Sequence, residues 1–325
     1  MSGIAVLGTG AYVPERIVTS DEVGAPAGVD GDWIVRKTKI RERRWAAPGQ
    51  ATSDLAVAAG RRALAAAGLT PGDLTLIVVA TSTPDRPQPP TAAYVQQQLG
   101  AVGAAAFDVN AVCSGSVFAL SVAQSMLAQH GGRALVIGAD VYSRILDPAD
   151  RRTVVLFGDG AGALVLGSDS PGPRVRHVAL HSFGDLSGLI EVPAGGSRHP
   201  ADPAALAAGL QYFTMQGREV RRFVVEQLPQ LTKEFLHEAG VVAEDIAHFV
   251  PHQANGVMLD TGLEDLVLPN ATTHLTLEHY GNTGSASVPI TLDAAVRRGA
   301  FRPGDLVLLA GFGGGMSAGF ALLEW

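Results

Sequence analysis

Apolar and polar positions along the chain follow two rhythms. Val220, Phe223, Val224, Leu228, Leu231 and Phe235 recur at three- and four-residue spacing, which predicts an amphipathic helix that stops near Gly240. The alanine-rich stretch Asp54–Ala67 predicts another, stopping near Gly68. Between such stretches lie short runs that are almost wholly apolar: Leu76–Ala80, Ala134–Ile137 and Leu306–Leu309. Runs with no polar face predict strands covered by helices on both sides, as in an α/β protein. Ala105–Val109 and His248–Pro251 also read as strands. Ser116–Gln129, halted at Gly131 and Gly132, and Ser287–Gly299 read as helices.

The pattern occurs twice. Ala67–Leu74 leads into one apolar run as Ala239–Ile246 leads into another, 172 residues later. The same offset lays Asn110–Cys113 on Asn282–Ser285, and Gly132–Val136 on Gly304–Leu308. A constant offset over this distance predicts two duplicated α/β halves. The polar, Gly- and Pro-bearing stretch Ser168–Pro173 is the natural boundary, giving halves of 1–170 and 171–325. Gly184–Ala208 reads as a loop-rich insertion over the second half.

Composition narrows the function. The chain of 325 residues is 47% hydrophobic and 17% charged, which excludes a disordered chain and supplies a large core. Its net charge of −7 removes the electrostatic drive for nucleic-acid binding. A single cysteine excludes an internal disulfide and suits a reducing compartment. No apolar run approaches a membrane span of about 18 residues, and Met1–Pro14 lacks the features of a signal peptide. A soluble, cytoplasmic protein with no membrane partner is expected.

Three residues carry candidate chemistry. Cys113 stands at a predicted helix start, where unpaired N–H groups and the helix dipole favour a thiolate; small neighbours Ser114, Gly115 and Ser116 leave room for a substrate. His252 follows a strand at its C-terminal end, the edge where α/β sheets bind ligands. Asn282 lies in a turn entering a helix, with Asn110 as its repeat-mate. Each has a structural alternative: a buried cysteine, a hydrogen-bonded histidine, a capping asparagine. Duplication sets the helix starts at Cys113 and Ser285 facing one another, so the three converge on one cleft.

Other motifs fall short. Gly8-Thr9-Gly10 lacks the third glycine of a dinucleotide loop, and no Cys/His pair has metal-ligand spacing. Six cations between Arg36 and Arg44 form either a solvated surface or a phosphate contact.

Longer motifs resemble a known family. Asp108–Gly115, Pro251–Asn255, His279–Thr283, Gly311–Gly315, Gly31–Val35 and Phe157–Gly162 occur in the order found in β-ketoacyl-ACP synthase III enzymes, and the resemblance spans the chain. It implies a thiolase-like αβαβα five-layered fold, a homodimer, and acyl-CoA and acyl carrier protein as partners. CoA or phosphopantetheine thioesters are then substrates, with no resident cofactor or metal. Cys113 would take the acyl group, and His252 and Asn282 would stabilise the enolate formed as a malonyl thioester loses CO₂. The N–H groups of Cys113 and Gly314 would form the oxyanion hole. Trp33 and Arg151 would sandwich the adenine of CoA, with Lys37, Gln253 and Asn255 as further substrate contacts.

Departures from the family's pattern point to a specialised relative, such as a polyketide starter or chain-joining enzyme. Lys37 stands where a second arginine is usual. Val257–Asp265, where relatives present cations to the carrier, has none and carries Asp260, Glu264 and Asp265. Gln88 falls at a commonly aromatic position of the acyl pocket contributed across the dimer. A same-fold acyltransferase that passes the acyl group to an O, N or S acceptor is the alternative. A silent partner subunit is disfavoured by the complete Cys/His/Asn set.

Overall fold

The structure, a computed structural model, describes residues 3–168, 170–266 and 268–325, with the side chains of Leu263, Glu264 and Asp265 outside the described residues. Ten strands form the main sheet: β1 (Ile4–Tyr12), β2 (Leu76–Ala80), β3 (Ala105–Val109), β4 (Arg133–Asp140), β5 (Gly160–Ser168), β6 (Arg174–Ser182), β7 (Ile246–Pro251), β8 (Thr272–Thr273), β9 (Leu306–Gly313) and β10 (Ser317–Glu324). Their order is β8-β7-β9-β10-β6-β1-β5-β4-β2-β3. Each strand of the first five has its counterpart five later, and the pairing repeats: β2 is parallel to β3 and β4, as β7 is to β8 and β9, with the remaining pairs antiparallel. Within the sheet, β1 and β6 of the two halves meet through the ladder pair Ala5 with Arg174.

Side-chain parity explains the layers. Along β2, Ile77 and Val79 pack under the helix α2 (Thr52–Ala67), while Leu76, Val78 and Ala80 point the other way. Val307 and Leu309 of β9 join that second group, so both half-sheets face a common core. The helices α3 (Gly115–His130) and α6 (Ser287–Arg297) fill it. Leu308, Ala310 and Phe312 of β9 turn outward to α4 (Gly217–Ala239), which lays down Val220, Phe223, Val224, Leu228, Leu231 and Phe235 as the periodicity requires. The result is helix, sheet, helix, sheet, helix: the thiolase-like α/β fold. The central strands β2, β4 and β9 are covered on both faces, which accounts for their unbroken apolar runs, whereas the edge strand β3 keeps partly exposed residues.

Two expectations need correction. Val112–His130 is long and apolar enough by length and composition to cross a membrane, contrary to the reading that no run approaches that size. It is apolar on several sides because α3 lies between two sheets and meets both. The basic run is likewise not one solvated surface. Arg43 is fully buried, donating to Val155 O at 2.7 Å and Ser20 Oγ at 3.1 Å. Burial lowers its pKa to about 10.

The Gly8-Thr9-Gly10 segment is part of β1, not a phosphate loop. A Cβ at Gly10 would lie 2.3 Å from Ala63 N, so these glycines let the α2 backbone close on the strand.

Candidate active site

The backbone ahead of the cysteine is strained. Val112, a β-branched residue, has φ +47, a region costing about 1–3 kcal/mol. Its N–H donates to Asn110 Oδ1 at 3.2 Å, and a short 3₁₀ turn, Val112–Ser114, leads into α3. Gly313, at the end of β9, packs directly on this turn; a Cβ there would fall 2.7 Å from Cys113 Cβ. Ser114 Oγ, which donates to Ala111 O, also meets Ser317 Oγ at 2.7 Å, and Ser317 Oγ donates to Gly314 O at 3.0 Å. The two halves of the chain are thus pinned together at the cysteine. The Gly314 N–H has no acceptor among the described residues.

Asp140, at the end of β4, organises the floor of the site. Its carboxylate accepts from Ser82 N at 2.8 Å, Thr83 Oγ1 at 3.0 Å, and both Ser285 N and Ser285 Oγ at 2.8 Å. Burial raises its pKa while these donors oppose the rise. Ser285 Oγ donates also, in part, to Ala80 O, so the start of α6 is tied to the end of β2. The Tyr142 hydroxyl bonds Ser82 Oγ at 2.9 Å, and the Tyr142 ring stacks on Phe157, which meets Phe213 edge-on.

These surroundings overturn the expected thiolate. Burial pushes the Cys113 thiol up to about 12, and the Asp140 charge adds to the rise; the lowering effect of Tyr142 is too small to offset them. The helix-start effect, about 0.3–1 kcal/mol at exposed sites, is small beside desolvation in an apolar interior.

His252 continues β7, its N–H donating to Ala310 O at 2.7 Å. Its ring stands edge-on to Phe312, with centroids 5.2 Å apart, and its Nδ1 lies 2.6 Å from Ser287 Oγ. Burial lowers its pKa to about 3, so the imidazole is neutral. Asn282 lies across a bridge to Phe157; its backbone N–H donates to Leu156 O at 2.8 Å and its O accepts from Gly158 N at 2.9 Å. The side-chain Oδ1 accepts from Gly284 N at 2.9 Å, leaving the amide NH₂ without a protein acceptor among the described residues.

Cys113, His252 and Asn282 line one cavity of about 460 Å³. Val155, Leu156, Phe157 and Phe312 make much of its wall. The segment read as a loop-rich insertion contributes Ile190, and its continuation adds Phe213 and Met215 through the strand pair Ile190–Glu191 with Thr214–Met215. Lys37, Arg151, Arg152, Arg218 and Arg221 gather along the same cavity. Arg151 lies over the Trp33 ring, 5.9 Å from its centroid; Trp33 is set by the Asp30 cap of the helix α1 (Gly31–Thr38).

Two predicted substrate contacts have other employment. Gln253 is fully buried and does not line the cavity: its amide donates to Pro251 O at 2.8 Å and accepts from Thr276 N at 2.9 Å, bracing the end of β7. Asn255 does line the cavity, but its Oδ1 caps the helix α5 (Gly256–Leu266) through Val257 N at 2.9 Å. On α5, Asp260 pairs with Lys39, so that acid is already neutralised. The expected role of Glu264 and Asp265 lies outside the described residues. Gln88 is exposed and lines no part of this chain's own cavity. Sequence reasoning passed over Asp140, Tyr142, Phe213 and Ser287; only their contacts with distant elements single them out.

Comparison with known proteins identifies the family. Residues 107–184 match the family 3-oxoacyl-(acyl-carrier-protein) synthase III, and residues 236–325 match its C-terminal part. The chain is 74% identical over 322 residues to Acetoacetyl CoA synthase NphT7 of Streptomyces sp. (strain CL190), covering 98% of each. It is 42% identical to a beta-ketoacyl-(acyl-carrier-protein) synthase III of Caldanaerobacter subterraneus subsp. tengcongensis, covering 98% of this chain and 97% of that one. Among solved structures, the priming β-ketosynthase of the R1128 polyketide biosynthetic pathway superimposes with a TM-score of 0.92 at 36% identity, covering 99% and 96%.

Proposed function

The chain belongs to the 3-oxoacyl-(acyl-carrier-protein) synthase III family of condensing enzymes, and from that premise we propose that it joins acetyl-CoA to malonyl-CoA to give acetoacetyl-CoA. The observation that carries this reading is the meeting of Cys113, His252 and Asn282 on one apolar cavity with a row of cations beside it. The relative whose name specifies acetoacetyl-CoA synthesis supports the choice of acyl group and carrier.

In the first half-reaction the Cys113 sulfur attacks the acetyl thioester carbon and the carbon–sulfur bond to CoA breaks. The thiol proton leaves with CoA, which matches a resting thiol rather than a thiolate. In the second, malonyl-CoA loses CO₂, and the electron pair of the broken carbon–carbon bond becomes an enolate. His252 and the Asn282 amide would donate to its oxygen. The enolate carbon then attacks the acyl-Cys113 carbonyl, the carbon–sulfur bond to Cys113 breaks, and the released thiolate takes one proton from solvent to return to the resting thiol. The N–H groups of Cys113 and Gly314 would hold the oxyanion that forms in each acyl transfer.

Incubation with acetyl-CoA and carboxyl-labelled malonyl-CoA is expected to release labelled CO₂ and acetoacetyl-CoA in equal amounts. Acetyl transfer to another acceptor without CO₂ release would overturn the reading.

Trp33 and Arg151 would take the adenine by stacking, and Lys37, Arg218 and Arg221 would meet the phosphates. Replacing Arg218 and Arg221 together by glutamate is expected to raise KM for malonyl-CoA about tenfold with little change in kcat, because these groups act on binding alone. Initial rates over a malonyl-CoA series check it.

The dimer is supported by the edge strand β3, whose residues Ala105–Val109 are exposed or partly exposed and include no Lys or Arg to blunt further pairing. In a dimer Gln88 could reach the partner's cavity. Light scattering that returned the mass of one chain would count against this.

A further inference from the structure

We propose that Ser287 is a positioning residue that holds the His252 imidazole as its Nε2–H tautomer, so that the ring meets the substrate as a hydrogen-bond donor. The inference rests on the condensing role given to His252 above and adds the group that sets its proton.

Ser287 is the first residue of α6, and its side chain is buried. Its Oγ lies 2.6 Å from His252 Nδ1, a short contact between two polar atoms sealed from water. Two arrangements satisfy that distance. If Nδ1 carried the proton, it would donate to Oγ, and the serine hydroxyl proton would need an acceptor elsewhere. Among the described residues it has none. An unpaired buried donor costs about 1–3 kcal/mol. In the other arrangement the hydroxyl donates to Nδ1, and both groups are satisfied. The Gln253 N–H, which can only donate, points to the same oxygen at 3.4 Å; it takes one of the two lone pairs and offers no acceptor for the serine proton.

With Nδ1 an acceptor, the ring proton resides on Nε2. No protein acceptor for Nε2 exists among the described residues, and the ring lines the cavity. The donor is therefore directed to whatever enters beside Cys113. The enolate oxygen of a decarboxylating malonyl thioester requires such a donor, whereas the opposite tautomer would present a lone pair and repel it.

The geometry also explains why Ser287 escapes a local reading. It lies 35 residues from His252, and a serine at a helix start is ordinarily a cap. Here its hydroxyl is turned across to another strand's end.

The test combines a spectroscopic and a kinetic readout. In protein labelled with ¹⁵N-histidine, the His252 signal, assigned by its loss in His252→Gln, is expected to show the Nε2–H pattern. In Ser287→Ala it should become a mixture of tautomers. The same variant is expected to lose about tenfold or more in malonyl-CoA decarboxylation, through kcat rather than KM. Acetylation of Cys113 should change less than about threefold, and Ser287→Thr, which keeps the hydroxyl, should restore both signal and rate. An unchanged Nε2–H pattern in Ser287→Ala, or equal losses in both half-reactions with no tautomer shift, would overturn the proposal. The spectrum needs no substrate, so failure of the condensation reading would leave it interpretable.

Discussion

Cys113→Ala is expected to abolish acyl loading and condensation together, with turnover falling at least about 10³-fold. Covalent catalysis offers no second route: the acyl group must rest on a protein atom while CoA leaves and malonyl-CoA enters the same cavity. Loss of one sulfur leaves the walls, the cations and the Asp140 network in place, so CoA-thioester binding should persist within a few-fold. Intact-protein mass measurement after incubation with acetyl-CoA should show the acetyl adduct on the wild type and none on the variant. A variant that still turned over at a tenth of the normal rate would dismiss Cys113 as nucleophile. Folding is a minor concern, because alanine keeps the Cβ that packs against Gly313.

Asn282→Ala is expected to divide the half-reactions. Its amide NH₂ is the free end of a side chain whose oxygen is held by Gly284 N, so truncation removes one donor aimed into the cavity. Loss of a single such donor typically lowers the rate about 10²–10³-fold. The loss should fall on decarboxylation, while Cys113 still takes up acetyl at close to the normal rate. Stopped reactions scored for adduct and for released CO₂ distinguish the two steps. Normal decarboxylation with impaired loading would reverse the assigned roles. His252 should behave alike, and its protonation should not intrude on the pH profile. Burial holds its pKa at about 3, so the neutral ring persists through the whole range from pH 5 to 8. A fall in decarboxylation centred near pH 6.5, removed by replacing His252, would contradict that.

Much of the fold was legible because it is written in short-range patterns. An apolar stripe at helical spacing reports one face of one helix, and Gly68 and Gly240, both left-handed C-caps, report where helices stop. The repeat predicted matching halves, and in the sheet each of the first five strands has a counterpart five later. The site was legible to the extent that its residues stand at element ends: Cys113 before a helix, His252 after a strand, Asn282 in a turn.

What escaped the sequence depends on distances between segments far apart in the chain. The Cys113 pKa follows from an apolar enclosure and from Asp140, and neither is a property of the residues beside the cysteine. Gln253 sits next to His252 in the chain, yet successive side chains at a strand end point in opposite directions, and it braces the backbone rather than the substrate. Arg43 belongs to a basic run whose other members reach solvent, but its own position on the strand Glu42–Trp45 turns it inward to the Val155 carbonyl. Phe213 closes the cavity from a stretch just beyond the loop-rich segment Gly184–Ala208, where no local pattern marked a role. Periodicity and capping are local, and one chain determines them residue by residue. Desolvation, charge proximity and hydrogen-bond direction depend on which segments meet, and here only the packing of two half-sheets around α3 and α6 decided that.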